Sequence, residues 1–182
     1  MSHALAADKR HPNDAYFTPD ALATRLVSLL PAHGAVCWEP HAGGGAFVRA
    51  LTAAGAEAVI ATDLVGWGAP RDFLTESAPP VTRLDWIVGN PPFRNFEAHV
   101  SHALTLAPNV AFLLRLAVME SASRAPLWQA WPLRRVYVLA ERPSFTGGGT
   151  DSAAYGWFLF RRGYTGPAEI VPGWRWKDSD AR

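Results

Sequence analysis

Residues 84–93 have the sequence LDWIVGNPPF, an apolar run that ends in an asparagine, two prolines and a phenylalanine. A run of aliphatic and aromatic side chains of this length predicts a buried strand over residues 84–88. The two prolines cannot continue regular structure, so they leave a stiff loop at the carboxyl end of that strand. Open α/β sheets bind their ligands outside this end of their strands. The stretch therefore predicts an α/β fold and the place of its functional site.

The loop Asn90-Pro91-Pro92-Phe93 offers groups that suit one kind of ligand. The Asn90 side-chain amide and the Pro91 backbone carbonyl can each accept a hydrogen bond, and the Phe93 ring provides a flat apolar face. The loop is therefore suited to hold a planar group that carries an amino substituent.

The rest of the chain alternates between strand and helix patterns. Apolar spacing and terminal signals predict helices over residues 19–30, 46–54, 95–107 and about 121–130. Apolar runs predict further strands over residues 35–38, 57–62, 109–116, 135–140 and 154–161. This alternation predicts a mostly parallel sheet between two helical layers, and the last two strands predict an antiparallel hairpin at one edge, joined by a loop with glycines at 147–149. We expect residues 1–15 to form a flexible arm and residues 16–182 a single domain.

The composition is typical of a soluble globular protein, with 49% hydrophobic and 18% charged residues among 182. No apolar stretch is long enough to span a bilayer, and the N-terminus lacks a signal-peptide pattern. Cys37 is the only cysteine, which excludes an intramolecular disulfide and favours a cytoplasmic setting. We therefore expect a cytoplasmic protein without membrane contact, whose one thiol is buried in a strand.

Charge is distributed unevenly along the chain. Residues 1–93 carry six basic and nine acidic side chains, a balance of −3, whereas residues 94–182 carry 11 basic and seven acidic ones, a balance of +4. Fifteen of the 17 basic residues are arginine, which suits bidentate contacts to phosphate. The C-terminal half is therefore a plausible partner for a polyanion, although a GC-rich genome would produce the same arginine bias.

Three further features follow predicted strands at the same edge of the sheet. The segment EPHAGGG, residues 39–45, opens a helix, and its glycines allow a ligand close to the backbone. Asp63 ends the next strand, where a carboxylate commonly binds ribose hydroxyls. Asp72-Phe73 then joins a polar group to an apolar one. Taken singly, each feature has a structural alternative: a tight turn, a capped turn, or an N-cap beside a core aromatic.

The ordered set of these motifs resembles the S-adenosylmethionine-dependent amino-methyltransferases that act on adenine N6. The glycine turn, Asp63, Asp72-Phe73 and residues 90–93 occur in the order of the group whose cofactor motif precedes the catalytic tetrapeptide. The segment YFTP, residues 16–19, also resembles that group's cofactor motif before the first helix. The matching segments extend from about residue 16 to residue 160. The resemblance implies a Rossmann-like class I methyltransferase fold.

The resemblance also implies a cofactor site for S-adenosylmethionine. Thr18 and Pro19 would line its methionine end, with Glu39 and the glycine turn beneath it. Asp63 would bind the ribose hydroxyls, and Asp72-Phe73 would contact the adenine. The implied cofactor-binding residues are Tyr16, Thr18, Pro19, Glu39, Gly43, Gly45, Asp63, Asp72 and Phe73.

The catalytic residues implied in the same way are Asn90, Pro91, Pro92 and Phe93, which would hold an adenine amino group and stack on its ring. In duplex DNA the base would first have to leave the helix. Phe145, in the segment RPSFTG before the glycine loop, resembles the family's second stacking aromatic, with a core aromatic as the alternative. Arg124 and Arg142 are expected to contact the DNA. No metal is required, and His41, His99 and His102 do not predict a metal site because only two of them share local spacing.

Several alternatives remain open at the level of the sequence. The same loop, Asn90-Pro91-Pro92-Phe93, here called the clamp, would suit an amino group of RNA or a protein glutamine amide. A non-catalytic module that binds nucleic acid is a third hypothesis. The chain lacks room for a separate recognition domain, so we expect short or relaxed sequence specificity, as in the phage- and prophage-encoded members that it resembles, or recognition shared with a partner or second copy.

Trp128 and Trp131 are predicted to pack in the core, and residues 174–177 to form a tail strand rather than a nucleic-acid contact.

Overall fold

The computed structural model describes residues 17–145 and 151–177, which form one mixed sheet covered by helices. The strands are β1 (Val36–Glu39), β2 (Ala58–Asp63), β3 (Ala69–Pro70), β4 (Trp86–Gly89), β5 (Asn109–Arg115), β6 (Leu133–Leu139), β7 (Tyr155–Arg161) and β8 (Glu169–Trp174). Their order across the sheet is β3-β2-β1-β4-β5-β7-β6-β8. Only β7 runs antiparallel to its neighbours, β5 and β6. The mostly parallel sheet with an antiparallel C-terminal pair is confirmed.

Helices cover both faces of this sheet. They are α1 (Asp20–Val27), α2 (Ala46–Ala53), α3 (Phe96–Leu106) and α4 (Ala125–Ala130), with short 3₁₀ turns at Phe73–Thr75, Phe93–Asn95 and Leu116–Met119. Successive strand residues point to opposite faces, so Cys37 packs with α1 and α2 whereas Trp38 packs in the other core with α3. Ile87 and Val88 divide in the same way between the two cores. This alternation produces the three predicted layers.

Three residues that were predicted to pack in the core do so in the structure: Cys37, Trp128 and Trp131. Cys37 is fully buried as a free thiol, and burial raises its pKa to about 11. Trp128 and Trp131 pack edge to face and contact the aromatic residues of β7, as predicted for core side chains.

The C-terminal strands differ from the prediction in one respect. The hairpin of β6 and β7 does not form the edge of the sheet, because β8 pairs in parallel with β6 outside it. Within residues 174–177 only Trp174 belongs to this strand, which begins earlier, at Glu169. Pro172 and Gly173 hide the strand pattern in the sequence, yet an edge strand tolerates both.

The predicted helix over residues 121–130 is also shorter in the structure. The chain forms the 3₁₀ turn Leu116–Met119 first, and α4 begins only at Ala125 with Pro126 in its first turn. Proline favours this position because its missing N–H would have no partner in the first turn. Among the described residues, no helix has the length and apolar character needed to cross a membrane.

Candidate active site

A cleft of about 630 Å³ opens at the carboxyl ends of β1, β2 and β4. It brings together the predicted loop Asn90-Pro91-Pro92-Phe93 and the predicted carboxylates Asp63 and Asp72. The lining residues are Phe17, Pro40, His41, Gly43, Asp63, Leu64, Val65, Gly66, Arg71, Asp72, Phe73, Leu74, Asn90, Pro91, Pro92, Phe93, Asn95 and His99. The cleft therefore lies at the carboxyl ends of the strands, where the sequence predicted the functional site.

The clamp loop joins β4 directly to the turn that begins α3. Asn90 Nδ2 donates a hydrogen bond of 3.3 Å to Thr18 Oγ1, which ties the clamp to the segment before α1. Thr18 and Asn90 also border a small recess beside the glycine turn. Pro19 is the N-cap residue of α1. Tyr16 lies outside the described residues, as do the glycines at 147–149.

The glycine turn is held by the carboxylate of Asp63. Its Oδ2 accepts from the Gly43 backbone N–H at 2.8 Å, and its Oδ1 accepts from the N–H groups of Val65 at 2.9 Å and Gly66 at 2.8 Å. Gly43 has a φ of +50° and Gly45 a φ of +77°, conformations that favour glycine. A carboxylate can accept about four hydrogen bonds, so Asp63 joins two backbone turns and keeps capacity for a ligand hydroxyl.

Glu39 lies behind the cleft rather than on its surface. The residue is 1% exposed, and its Oε1 accepts from the His41 backbone N–H at 2.9 Å. Gly89 makes room for it, because a Cβ at that position would collide with the Glu39 carboxylate. Burial raises the pKa of Glu39 well above its ordinary value, against the lowering effect of the His41 hydrogen bond.

Phe73 is a core aromatic that also lines the cleft. It is 2% exposed and meets the edge of Trp38 with ring centroids 5.3 Å apart. Asp72, directly before it, is exposed, and its Oδ1 accepts from the Leu74 backbone N–H at 3.0 Å. Asp72 therefore caps a turn and Phe73 packs in the core, which is the structural alternative for this pair. Both residues also line the cleft.

Two histidines that the sequence analysis did not assign to the site form part of the cleft wall. His41 Nε2 and His99 Nδ1 lie 2.8 Å apart, and both residues line the cleft. Burial lowers the pKa of His99 to about 4 and the pKa of His41 well below its ordinary value. Their separation of 58 positions in the sequence hid this pair from any argument based on local spacing. Among the described residues, no group of three or more potential ligands forms a metal site.

Phe93 is surrounded by an arginine and two aromatic residues. The Arg115 guanidinium carbon lies 4.5 Å from the centroid of the Phe93 ring, a cation–π distance. Phe145, which is buried, meets Phe93 with centroids 6.3 Å apart and planes at 67°, and Tyr155 meets it at 5.6 Å. The Phe93 and Phe145 rings therefore contact each other edge to face in this structure rather than as parallel plates.

Arg115 belongs to a network at the start of β7. Its Nε donates to the Tyr155 hydroxyl at 3.2 Å, and that hydroxyl donates to Asp151 Oδ2 at 2.7 Å. Burial raises the pKa of Tyr155, and backbone and hydroxyl hydrogen bonds outweigh burial to lower the pKa of Asp151. An arginine at the end of a strand is not distinctive in sequence, so neither Arg115 nor this network could be found without the fold.

The two arginines assigned to DNA contact differ in their surroundings. Arg124 is half-buried, and its Nε donates to Glu97 Oε1 at 2.9 Å while its guanidinium lies over Phe96. Arg142 is exposed at the end of the described segment that precedes residue 146. Arg142 is therefore accessible at the surface, whereas Arg124 braces α3 through Glu97 and Phe96.

The strand order and the antiparallel β7 define the Rossmann-like fold of the class I methyltransferases. No protein-family model and no curated protein sequence matches the chain. Among solved structures it is similar to a protein of Pyrococcus horikoshii assigned as an RNA methyltransferase, with a TM-score of 0.63 and 15% identity over 86% of this chain and 93% of that one. The M protein of the type I restriction enzyme EcoKI gives a TM-score of 0.64 and 16% identity over 82% of this chain and 44% of its own.

A third similar structure is the 23S rRNA methyltransferase ErmE, with a TM-score of 0.60 and 17% identity over 80% of this chain and 69% of that one. At these identities the likeness concerns the fold. The chain spans less than half of the EcoKI M protein but nearly all of the Pyrococcus protein. The names of these three structures refer to an RNA methyltransferase, a type I restriction enzyme and an rRNA methyltransferase.

Proposed function

We propose that this protein transfers a methyl group from S-adenosylmethionine to the exocyclic N6 of adenine in DNA. The observation that carries the proposal is the position of Asn90-Pro91-Pro92-Phe93 at the end of β4, in the same cleft as Asp63 and Asp72. The methyltransferase fold supports methyl transfer, and the loop supports an amino group as the acceptor.

The residues of the cleft fit this cofactor. Its volume lies in the ordinary range for a small-molecule site, and its wall combines carboxylates with exposed apolar side chains at Phe17, Leu64 and Val65. Asp63 would hold the ribose, Asp72 the adenine amino group, and Glu39 would lie with the glycine turn beneath the methionine end. S-adenosylmethionine, when bound, supplies an electrophilic methyl group on a sulfonium.

The clamp prepares the acceptor nitrogen. Adenine N6 is a poor nucleophile because its lone pair is delocalised into the ring. The Asn90 side-chain carbonyl and the Pro91 carbonyl would each accept a hydrogen bond from N6, which favours a lone pair localised toward the methyl donor. The hydrogen bond from Asn90 Nδ2 to Thr18 orients the amide for this task. No side chain has to abstract a proton before the transfer, because the proton can leave afterwards.

Phe93 provides the stacking surface for the base. Extruding a base from duplex DNA costs a few kcal/mol, and stacking on an aromatic ring returns roughly 1–3 kcal/mol per base. Arg115 and Tyr155 restrain the ring at its position beside Asn90. Phe145 would have to turn from its edge-to-face contact before it could stack on a second face, so its role depends on movement when DNA binds.

A nucleic acid is favoured over a protein acceptor because the basic residues are concentrated in the C-terminal half and Arg142 is exposed. DNA is proposed as the polymer because the ordered motifs resemble those of the adenine-N6 DNA methyltransferases. The test is incubation with methyl-labelled cofactor and separate DNA, RNA and protein acceptors. We expect label in DNA. Label in RNA or protein alone would assign another acceptor to the same clamp, and cofactor binding without any transfer would support a non-catalytic module.

A further inference from the structure

One wall of the cleft is formed by Phe73, His41 and His99, and His102 packs against the same phenylalanine. The His99 ring lies parallel to Phe73, with centroids 5.8 Å apart and planes at 9°. His41 and His102 meet the same phenylalanine with their planes at 76° and 74°. The protonation of His41 and His99 therefore defines the chemistry of this wall.

The hydrogen bond between the two cleft histidines fixes their tautomers. His41 Nε2 and His99 Nδ1 are 2.8 Å apart, so one nitrogen donates and the other accepts. His41 Nδ1 is buried and has no partner among the described residues. An orphaned buried N–H is rarer than an orphaned acceptor, so we assign the proton of His41 to Nε2. His99 then accepts at Nδ1 and carries its own proton on Nε2.

Neither histidine holds a second proton at neutral pH. Burial and the proximity of His99 lower the pKa of His41 well below its ordinary value. Burial also lowers the pKa of His99 to about 4, although Asp72 opposes this shift. The pair is therefore neutral, and His99 has a single N–H, at Nε2.

This N–H is open to the cleft. His41 Nδ1 and His102 Nε2 are sealed from solvent, whereas His99 Nε2 is not, and no described residue accepts a hydrogen bond from it. His99 is 7% exposed and lines the cleft. The Asp72 carboxylate lies close enough to influence its charge. A hydrogen-bond donor and an acceptor thus line the same cleft.

We propose that His99 is a specificity-determining residue of the cofactor site, whose Nε2–H donates to an adenine ring nitrogen next to the amino group that Asp72 accepts. This inference rests on the proposed function. Adenine presents an amino donor beside an acceptor nitrogen at both N1 and N7, which matches an acceptor and a donor on the protein. A purine with a carbonyl at that position would face Asp72 with an acceptor and would be rejected.

Calorimetric titration with S-adenosylhomocysteine and its deaza analogues tests this inference by binding alone. The 1-deaza and 7-deaza analogues each replace one candidate nitrogen by C–H, and the 3-deaza analogue is the control. One lost hydrogen bond predicts about tenfold weaker binding of either the 1-deaza or the 7-deaza analogue by the wild-type protein, with the 3-deaza analogue unaffected.

The variant His99→Phe keeps the ring against Phe73 but removes the donor, so it should bind the parent and the sensitive analogue equally. The matched control is His102→Phe, on the same helix and against the same phenylalanine, which should discriminate as the wild type does. Long-range proton–nitrogen NMR of the wild-type protein should show His99 protonated at Nε2.

Three results would overturn the inference. Equal binding of all analogues by the wild type, discrimination that survives in His99→Phe, or an Nδ1-protonated His99 would each exclude the proposed contact. These outcomes leave the proposed function intact as long as S-adenosylhomocysteine binds. A wild-type protein that binds no S-adenosylhomocysteine would overturn both.

Discussion

Asn90 is the residue on which the proposed chemistry depends most. Its side chain is half-buried at the end of β4, and its orientation is set by the hydrogen bond to Thr18. A polar group held in this way before substrate arrives does not have to reorganise during the reaction. The Pro91 carbonyl is rigid for a different reason, because the proline ring fixes its backbone.

Replacing Asn90 by alanine should lower the rate of methyl transfer about 100-fold or more, since one of two hydrogen-bond acceptors for N6 is lost. Single-turnover measurements with saturating cofactor would record this change. Asn95→Ala, at the margin of the same cleft but outside the clamp, is the matched control and should stay close to wild type. Equal losses in the two variants would argue against a special role for Asn90.

His99 makes the stability of the protein depend on pH. In the unfolded chain its pKa is near 6.5, whereas burial lowers the pKa to about 4 in the fold. Between these values the unfolded state binds a proton that the folded state does not, so the free energy of unfolding falls as the pH drops from 6.5 towards 4. The contribution of this one residue is up to about 3 kcal/mol.

Urea unfolding at several pH values would isolate this effect. The unfolding free energy of the wild type minus that of His99→Phe should fall as the pH drops from 6.5 towards 4, because only the wild type loses stability through this group. A difference that is constant across this range would contradict the buried neutral state of His99.

At the scale of elements, the clamp depends on β5 and β7 as well as on β4. Arg115 ends β5, Tyr155 begins β7, and together they hold the Phe93 ring. The hydroxyl of Tyr155 joins Arg115 to Asp151 inside the protein. The antiparallel pairing of β5 with β7 places Arg115 directly opposite Tyr155.

Tyr155→Phe should therefore lower the free energy of unfolding by about 1–3 kcal/mol, because Asp151 and Arg115 lose a buried partner. Chemical denaturation would measure the change. Tyr164→Phe provides the control, since its hydroxyl donates to the Pro167 carbonyl at 2.8 Å at an exposed site, and its effect should stay below about 0.5 kcal/mol. Similar costs at the two sites would show that the network adds no stability.

The sequence predicted the elements whose periodicity or apolar character is strong. The strand before Asn90, the helix from residue 46 and the long helix α3 all lie within two residues of their predicted bounds. The two-residue β3 has no pattern to detect, and β8 is disguised by Pro172 and Gly173. Asp63 was assigned because it ends a predicted strand, and Asp72 because the ordered motifs resemble those of a known family. The His41–His99 pair and the Arg115 contact arise from the tertiary fold, so no local spacing reveals them.

At the scale of the whole molecule, the two halves of the chain carry opposite net charge. The N-terminal half contains the glycine turn, Asp63 and Asp72 and carries the negative balance, whereas the C-terminal half carries the positive balance. Attraction of a phosphate backbone is therefore expected at the C-terminal half, beside the clamp rather than beneath the cofactor site.

Arg142→Gln should weaken duplex DNA binding at every sequence and reduce the slope of log affinity against log salt by about 1, because one phosphate contact is lost. Fluorescence anisotropy at several salt concentrations would measure both quantities. Arg124→Gln should change the slope less, since Arg124 is paired with Glu97. A salt slope that is unchanged in Arg142→Gln would remove this residue from the DNA contact.

The most direct measurement of the central claim is the identity of the methylated nucleoside. Unmethylated duplex DNA would be incubated with the protein and S-adenosylmethionine, digested to nucleosides and analysed by mass spectrometry, with Asn90→Ala treated in parallel. The account predicts N6-methyl-2′-deoxyadenosine with the wild-type protein and little with the variant. A methyl group on another base, no methylated nucleoside, or an equal yield from Asn90→Ala would contradict it.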